Sequence, residues 1–382
     1  MLHSGASWPG NGRLTPQSPA MRPSLPVAAF VLASSLAAQN TLVSPLSCVA
    51  VEGDSSNTFP FVINTPRRYL QIHADLGTTP LVITKLCFRV GGSNLVFPGT
   101  RTHDMEMWMG EAVPGAIALP SLVFDANYAT PKTLVLPRQF VTFGPTGQSV
   151  SPGPNPFHPT LEITLATPFA YSGTAPLIWE VAYYGSTTSG GSTSSLDADA
   201  STSTTATSAI TGTGCLATGL STLMTHTYTV HDSVGTLMMN GTITNGPPNG
   251  LALMAIGFTN PNVAVPGLCS NLYTDAVLVQ FLGVTSATGS FNADNPTGAF
   301  ILPNTAAGFA LFTQAVAIDP LSTAPLPLVL SNGRTSTVPA PGTAEVNLVT
   351  RLWNNAGGTT ATTATFGTTI VGYGLATQFT HL

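Results

Sequence analysis

The chain has 382 residues, 43% of them apolar and only 7% charged, with 11 Lys and Arg against 16 Asp and Glu and a formal net charge of −5. An average soluble domain is about 25% charged, so Thr, Ser, Asn and Gly must wet this surface, and the apolar content excludes a disordered chain. Scattered basic residues leave no footprint for a phosphate backbone, which excludes nucleic acid as an expected partner and leaves few groups for acid–base chemistry.

The first element in chain order is an address. Met21-Arg22 precedes the apolar run Leu25 to Leu36, and Ser35, Ala37 and Ala38 supply small residues for cleavage. Residues 21–38 therefore read as a secretory signal peptide. Residues 1–20 are polar and Pro/Gly-rich and do not fit a signal, so Met21 reads as the initiator behind an over-extended start. No later apolar run reaches the roughly 20 residues of a membrane-spanning helix. The expected location is secreted or cell-surface, with no transmembrane anchor.

Beyond Ala38 the pattern is period two, the mark of strands. Val82, Leu86, Phe88 and Val90 share one parity against Lys85, Cys87 and Arg89. Met105, Met107 and Met109 alternate with Asp104, Glu106 and Trp108, and Leu161, Ile163 and Leu165 alternate with Glu162 and Thr164. This first module spans residues 39–186. Gly185–Ala209 is Ser/Thr/Gly-rich and reads as a solvated linker over 187–209. A second module follows over 210–342, nearly free of charge, with Leu251–Phe258 and Phe309–Ile318 apolar on both parities, as in central strands. Asn240-Gly241, Asn249-Gly250 and Asn332-Gly333 read as hairpin turns.

The last segment, 343–382, holds two strand-like runs, Glu345–Trp353 and Thr368–Phe379. Two strands alone are marginal, so they are expected to return to the first module, making the second an insertion. The fold class is all-β: two antiparallel β-sandwich modules, jelly-roll or Ig-like, the second inserted in the first. Cys48, Cys87, Cys215 and Cys269 allow three pairings; two in each half favour Cys48–Cys87 and Cys215–Cys269, as disulfides of an oxidising compartment.

Several pieces of the second module, in order, resemble a secreted domain of planctomycete-type bacterial proteins: Gly212-Thr213-Gly214-Cys215, Gly267-Leu268-Cys269, Ile301-Leu302-Pro303-Asn304, Gln314 to Pro320 and Leu330-Ser331-Asn332-Gly333. The first module is similar to another domain of such proteins through Phe88-Arg89, Pro168 to Tyr171 and Leu177–Tyr183. That domain closes on a segment like Gly374 to Phe379. The resemblance implies a secreted β-sandwich with paired cysteines and implies no activity.

Arg101, His103, Asp104, Glu106 and Glu111 form the densest polar cluster. Asp104 and Glu106, with Trp108 as a stacking platform, are the binding candidates for a cation or a sugar; the simpler reading is one solvated strand face. Asp197 and Asp199 read as linker, and Asn292, Asp294 and Asn295 as a turn. Asp319 before Pro320 also reads as a turn residue. Trp179 shares a parity with Val181 and belongs inside. The chain has no GxSxG elbow, HExxH or phosphate loop, and its His residues are dispersed. No catalytic residue, metal site or cofactor is expected. The leading expectation is a non-catalytic structural or adhesive protein whose partners are extracellular polysaccharide or surface proteins. A carbohydrate-binding module is the alternative, and a hydrolase with a spatially assembled Ser/His/Asp site the third reading.

Overall fold

The computed structural model describes residues 39–91, 99–146, 154–187, 195–291, 299–342, 349–354, 356–365, 367 and 370–382. The signal segment 21–38, the residues before it, and Asn292, Asp294 and Asn295 lie outside the described residues. Strands dominate, and every named strand pairing is antiparallel.

Five sheets hold the described strands. Sheet I runs β19 (Val349–Asn354), β3 (Arg67–His73), β8 (Leu177–Ser186), β5 (Arg101–Glu111) and β6 (Thr133–Phe143). Sheet II runs β1 (Asn40–Ser44), β21 (Thr377–His381), β4 (Leu81–Cys87) and β7 (Glu162–Tyr171). Sheet III is the short set β2 (Ser55–Asn57), β9 (Leu196–Ala200) and β20 (Tyr373–Leu375). Sheet IV runs β10 (Ser203–Thr205), β12 (Thr225–Ser233), β13 (Thr236–Thr244) and β16 (Ala299–Pro303). Sheet V runs β11 (Ser208–Thr211), β18 (Leu328–Thr337), β17 (Ala310–Ile318), β14 (Leu251–Gly257) and β15 (Leu278–Val284).

Two large apolar clusters follow this division. One draws Tyr69, Met105, Met107 and Trp179 of sheet I together with Ile83, Leu86, Ile163 and Phe379 of sheet II. The other joins Tyr228, Val230 and Met239 of sheet IV to Ala252, Met254, Ala315 and Val329 of sheet V. Met238 of β13 belongs to the first cluster. Ser233 and Thr236 reach across as well, with their hydroxyls donating to the carbonyls of Val371 and Ala118. Two of the chain's last strands pair with its first ones, β19 with β3 and β21 with both β1 and β4, while β20 pairs with β9.

The strand pattern of β5 is the one that alternation requires. Arg101, His103, Met105, Met107 and Met109 are buried on its first face, and Thr102, Asp104, Glu106 and Trp108 are half-buried on its second. The polar cluster of the sequence is thus split between the two faces. Trp179 is fully buried and stacks on Tyr69 at 5.2 Å between ring centroids.

Three expectations are corrected. The stretch read as a solvated linker, 187–209, is built into sheets through β9, β10 and β11, apart from 188–194, which lie outside the described residues. Leu196 and Ala198 of β9 are buried in the core, and Asp197 between them forms a 2.7 Å ion pair with Arg89, both side chains nearly inaccessible. Leu196, Asp197 and Ala198 are all buried, the apolar pair by packing and the aspartate by its ion pair, so the segment is held despite the low complexity around it.

The second correction concerns turns. Asn240-Gly241 lies inside β13 and Asn332-Gly333 inside β18, so neither is a hairpin turn; Asn249-Gly250 does lie between strands. The glycines serve close approach. A Cβ on Gly241 would stand 2.6 Å from Met254 Cε, and one on Gly333 2.4 Å from Tyr273 Cβ. The tight hairpin is Val234-Gly235, joining β12 to β13 with φ of 54° and 78°. It meets the type I′ demand for two positive φ values with a β-branched residue that the sequence does not advertise.

The third correction concerns the cysteines. Cys215–Cys269 is a disulfide, but Cys48 and Cys87 are free and buried rather than paired. β21 stands between β1, which leads into Cys48, and β4, which ends at Cys87; Val43 pairs with Gln378, and Gln378 with Cys87. Two strand spacings make about 10 Å, whereas a disulfide needs Cα atoms within about 7 Å. Cys48 packs instead on Val43 and Ala376, and the Cys87 thiol donates to the His158 carbonyl at 3.2 Å. Burial pushes both thiols up to about 12, helped by Asp199 and Asp197 at Cys48 and by Glu162 at Cys87.

Candidate functional site

The second face of sheet I carries the three sequence candidates, and each has a partner within the chain. Asp104 accepts two hydrogen bonds from Arg138 of β6, from Nε at 2.9 Å and Nη2 at 2.7 Å. Arg138 lies flat over the Tyr184 ring at 3.6 Å, and the Tyr184 hydroxyl donates to Glu106 at 2.5 Å. Trp108 is covered by the Lys132 ammonium, 4.7 Å from its ring centroid. The hydrogen bonds from Arg138 hold the Asp104 carboxyl below its ordinary range. The Trp108 ring that the sequence offered to a ligand, and the Tyr184 ring beside it, each carry one of the protein's own cations.

Next to Trp108 lies a buried ion cluster that sequence reasoning missed. Glu180 of β8 is completely buried. Its Oε1 accepts from Arg68 Nε and from Lys132 Nζ, both at 2.8 Å, and its Oε2 accepts from the Tyr128 hydroxyl at 2.9 Å. Asp125 closes the ring, bonded to Arg68 at 2.6 Å and Lys132 at 3.0 Å. Arg68 also donates to the Ala361 carbonyl and stacks over Phe124. Burial beside Glu180 drives the Tyr128 hydroxyl well above its usual range, so it stays a donor. Two cations meet two carboxylates, and the buried Glu180 has both oxygens engaged. The available signal was one glutamate inside the apolar run Leu177–Tyr184 (LIWEVAYY): a charge there is buried, and a buried charge needs partners.

The first face holds the molecule's Ser/His/Asp grouping. Tyr69, Gln71 and His73, at alternate positions of β3, form a buried polar ladder. The Tyr69 hydroxyl donates to Gln71 Oε1, and the Gln71 amide donates to the Leu375 carbonyl and approaches His73 Nε2 at 2.9 Å. Trp179 Nε1 donates to His73 Nε2 at 2.9 Å. An indole nitrogen only donates, so Nε2 is the acceptor and the ring proton sits on Nδ1, which donates to Ser44 Oγ at 2.7 Å. Ser44 in turn donates to the Asp75 carboxylate. Proton flow in a hydrolytic triad needs the histidine between serine and acid, accepting from the serine. Here the serine lies between, and burial pulls His73 down to about 3.

The second large cluster repeats the lesson. Burial, with Arg334 nearby, pulls His226 down to about 3, and its ring nitrogens meet Ser331 Oγ at 2.8 Å and Thr313 Oγ1 at 3.0 Å. Asp232 accepts from the Gly235 and Gly342 amides and from Asn304. Asp319 accepts from the Thr218 and Leu321 amides, the turn role expected of it. Asp275 binds the Phe258 amide and the Thr259 hydroxyl. Carboxylates here fasten loops.

Among the described residues no group of three or more His, Cys, Asp or Glu is placed to hold a metal ion, and no helix is long and apolar enough to cross a membrane. No family model, no curated protein and no solved structure matches the chain.

Proposed function

We propose that the protein is secreted or held at the cell surface and acts by contact, as a non-catalytic structural or adhesive protein. The observation that carries this reading is the state of its reactive groups. Glu180, Asp197 and Asp232 are spent on internal partners, and the buried histidines His73 and His226 are held neutral with both ring nitrogens engaged. General acid–base work needs a group of suitable pKa facing a substrate, and these groups are buried on partners within the chain.

The architecture that serves this function is a host β-sandwich of sheets I and II with an inserted sandwich of sheets IV and V. The return of β19 and β21 to the first strands supports the insertion, and the two apolar clusters support the two layered pairs. The insertion then begins near β10 at Ser203 rather than at 210. The signal-type N-terminal sequence and the Cys215–Cys269 disulfide support export, in keeping with the planctomycete-type resemblance.

The test is to treat intact producing cells with a membrane-impermeant amine label and to assay the purified chain for release of reducing ends from polysaccharides. The expected result is external or shed labelled protein and no turnover. Protein confined to the cytoplasm, or product accumulating with time, would contradict the reading.

A further inference from the structure

On the second face of sheet I, beyond the Arg138–Tyr184 stack, an open groove of about 420 Å³ runs between the Phe140 ring and the Asn64–Pro66 turn. That volume is within the usual range of small-molecule sites, about 300–1,000 Å³. Asp104 is directly opposite Phe140 on one side and Gly185 on the other, so the three positions form one cross-strand row. Gly185 leaves the floor bare: its φ is +128°, and a Cβ there would stand 3.2 Å from Asn64 Oδ1. Phe140 is 68% exposed. Each Asp104 oxygen accepts one bond from Arg138 and keeps a second acceptor site. Asn64 Oδ1 is taken by the Ser186 amide, which turns the Asn64 amide group into a donor.

A flat apolar ring beside a fixed carboxylate and an amide donor suits a pyranose, which has an apolar C–H face and a rim of hydroxyls. Charge narrows the class. Arg138 is engaged on Asp104 through Nε and Nη2 and on Tyr184 through its face, and Glu106 adds a second carboxylate nearby. Two carboxylates against one guanidinium leave this face net negative, which disfavours a uronate or a sulfated sugar.

We propose that this groove binds a neutral oligosaccharide, with one sugar ring stacked on Phe140 and its hydroxyls hydrogen-bonded to Asp104 and Asn64. The assignment rests on the contact reading above and gives that contact a ligand class. The test is calorimetric titration of the full chain with cellohexaose, xylohexaose, maltohexaose and mannohexaose, with hexagalacturonate as the anionic comparator. At least one neutral ligand should bind with a dissociation constant between about 10 µM and 1 mM. Phe140→Ala should weaken it about tenfold or more without moving the unfolding midpoint, since the ring is exposed. Asp104→Ala should weaken it as well. No binding by any of the four neutral ligands, binding undiminished in Phe140→Ala, or binding of the anionic ligand alone would overturn the assignment. Any of these results, with surface location and absence of turnover intact, removes only the sugar. Release of shortened oligosaccharides would instead remove the contact reading.

Discussion

Acidification from pH 6.5 towards 3 should unfold this protein, and the cause should be histidine rather than carboxylate. His73 and His226 are buried neutral, each pulled from 6.5 to about 3, and His103 is lowered by burial and by Arg101 to about 4. Below pH 6.5 the unfolded chain takes up protons that the fold refuses. Their contribution is therefore complete above 6.5 and declines as pH falls to 3. Linkage makes the loss on the order of 5 kcal/mol for each of His73 and His226 by the bottom of that window. Asp197 and Asp75 act in the opposite sense. Burial raises both, Asp197 to about 6, so over the range down to their unfolded values the fold gains protons first. That offsets on the order of 3 kcal/mol for Asp197, less than the histidines remove. Denaturant midpoints measured between about pH 7 and 4 should fall steadily below about pH 6, and His226→Gln should flatten the slope. A midpoint independent of pH in this range would refute the assignment.

Glu180→Gln should cost about 3–5 kcal/mol of stability, the effect of breaking a buried ion cluster while its cations stay in place. The neutral amide removes the buried anion that Arg68 and Lys132 share and leaves the exposed Asp125 as the carboxylate of both. It also presents an NH₂ where the site needs an acceptor. The exposed pair on the same face makes the contrast: Asp104→Asn should leave the midpoint unchanged, because surface ion pairs contribute little. Equilibrium unfolding of both variants checks this. Equal, small effects would mean that burial does not set the value of these charges.

Period-two reading located the strands because one face of each sheet packs on a core. Met105, Met107 and Met109 went inside, and Asp104, Glu106 and Trp108 went to the other face, with no tertiary information needed. Pairing partners were less legible, since they depend on which strands become neighbours. Cys48 and Cys87 are the two cysteines of the first module, yet the C-terminal β21 enters between β1, which leads into Cys48, and β4, which ends at Cys87. Composition misled at 187–209, where Ser and Thr masked the buried Leu196-Asp197-Ala198. The site was half legible. Asp104 was found by its parity, but Phe140 looks like any apolar strand residue, and only its place opposite Asp104 on an edge strand exposes it. Glu180 carried a signal, a lone charge in an apolar run, whereas its partners come from two distant segments, Arg68 from β3 and Tyr128 and Lys132 from the stretch before β6.

The buried charges of this chain hold its fold, Glu180 between Arg68 and Lys132 and Asp197 with Arg89. The Arg89–Asp197 pair tests this most directly, because it ties the first module to the Ser/Thr-rich stretch. Arg89 also donates to the Val51 carbonyl and stacks over Phe157, and Asp197 accepts from the Gly53 amide. A double-mutant cycle with Arg89→Met and Asp197→Leu, read by denaturant unfolding, should give a coupling energy of about 2–3 kcal/mol, since each single change leaves a buried charge unpaired. A coupling below about 0.5 kcal/mol, the level of independent sites, would contradict the account.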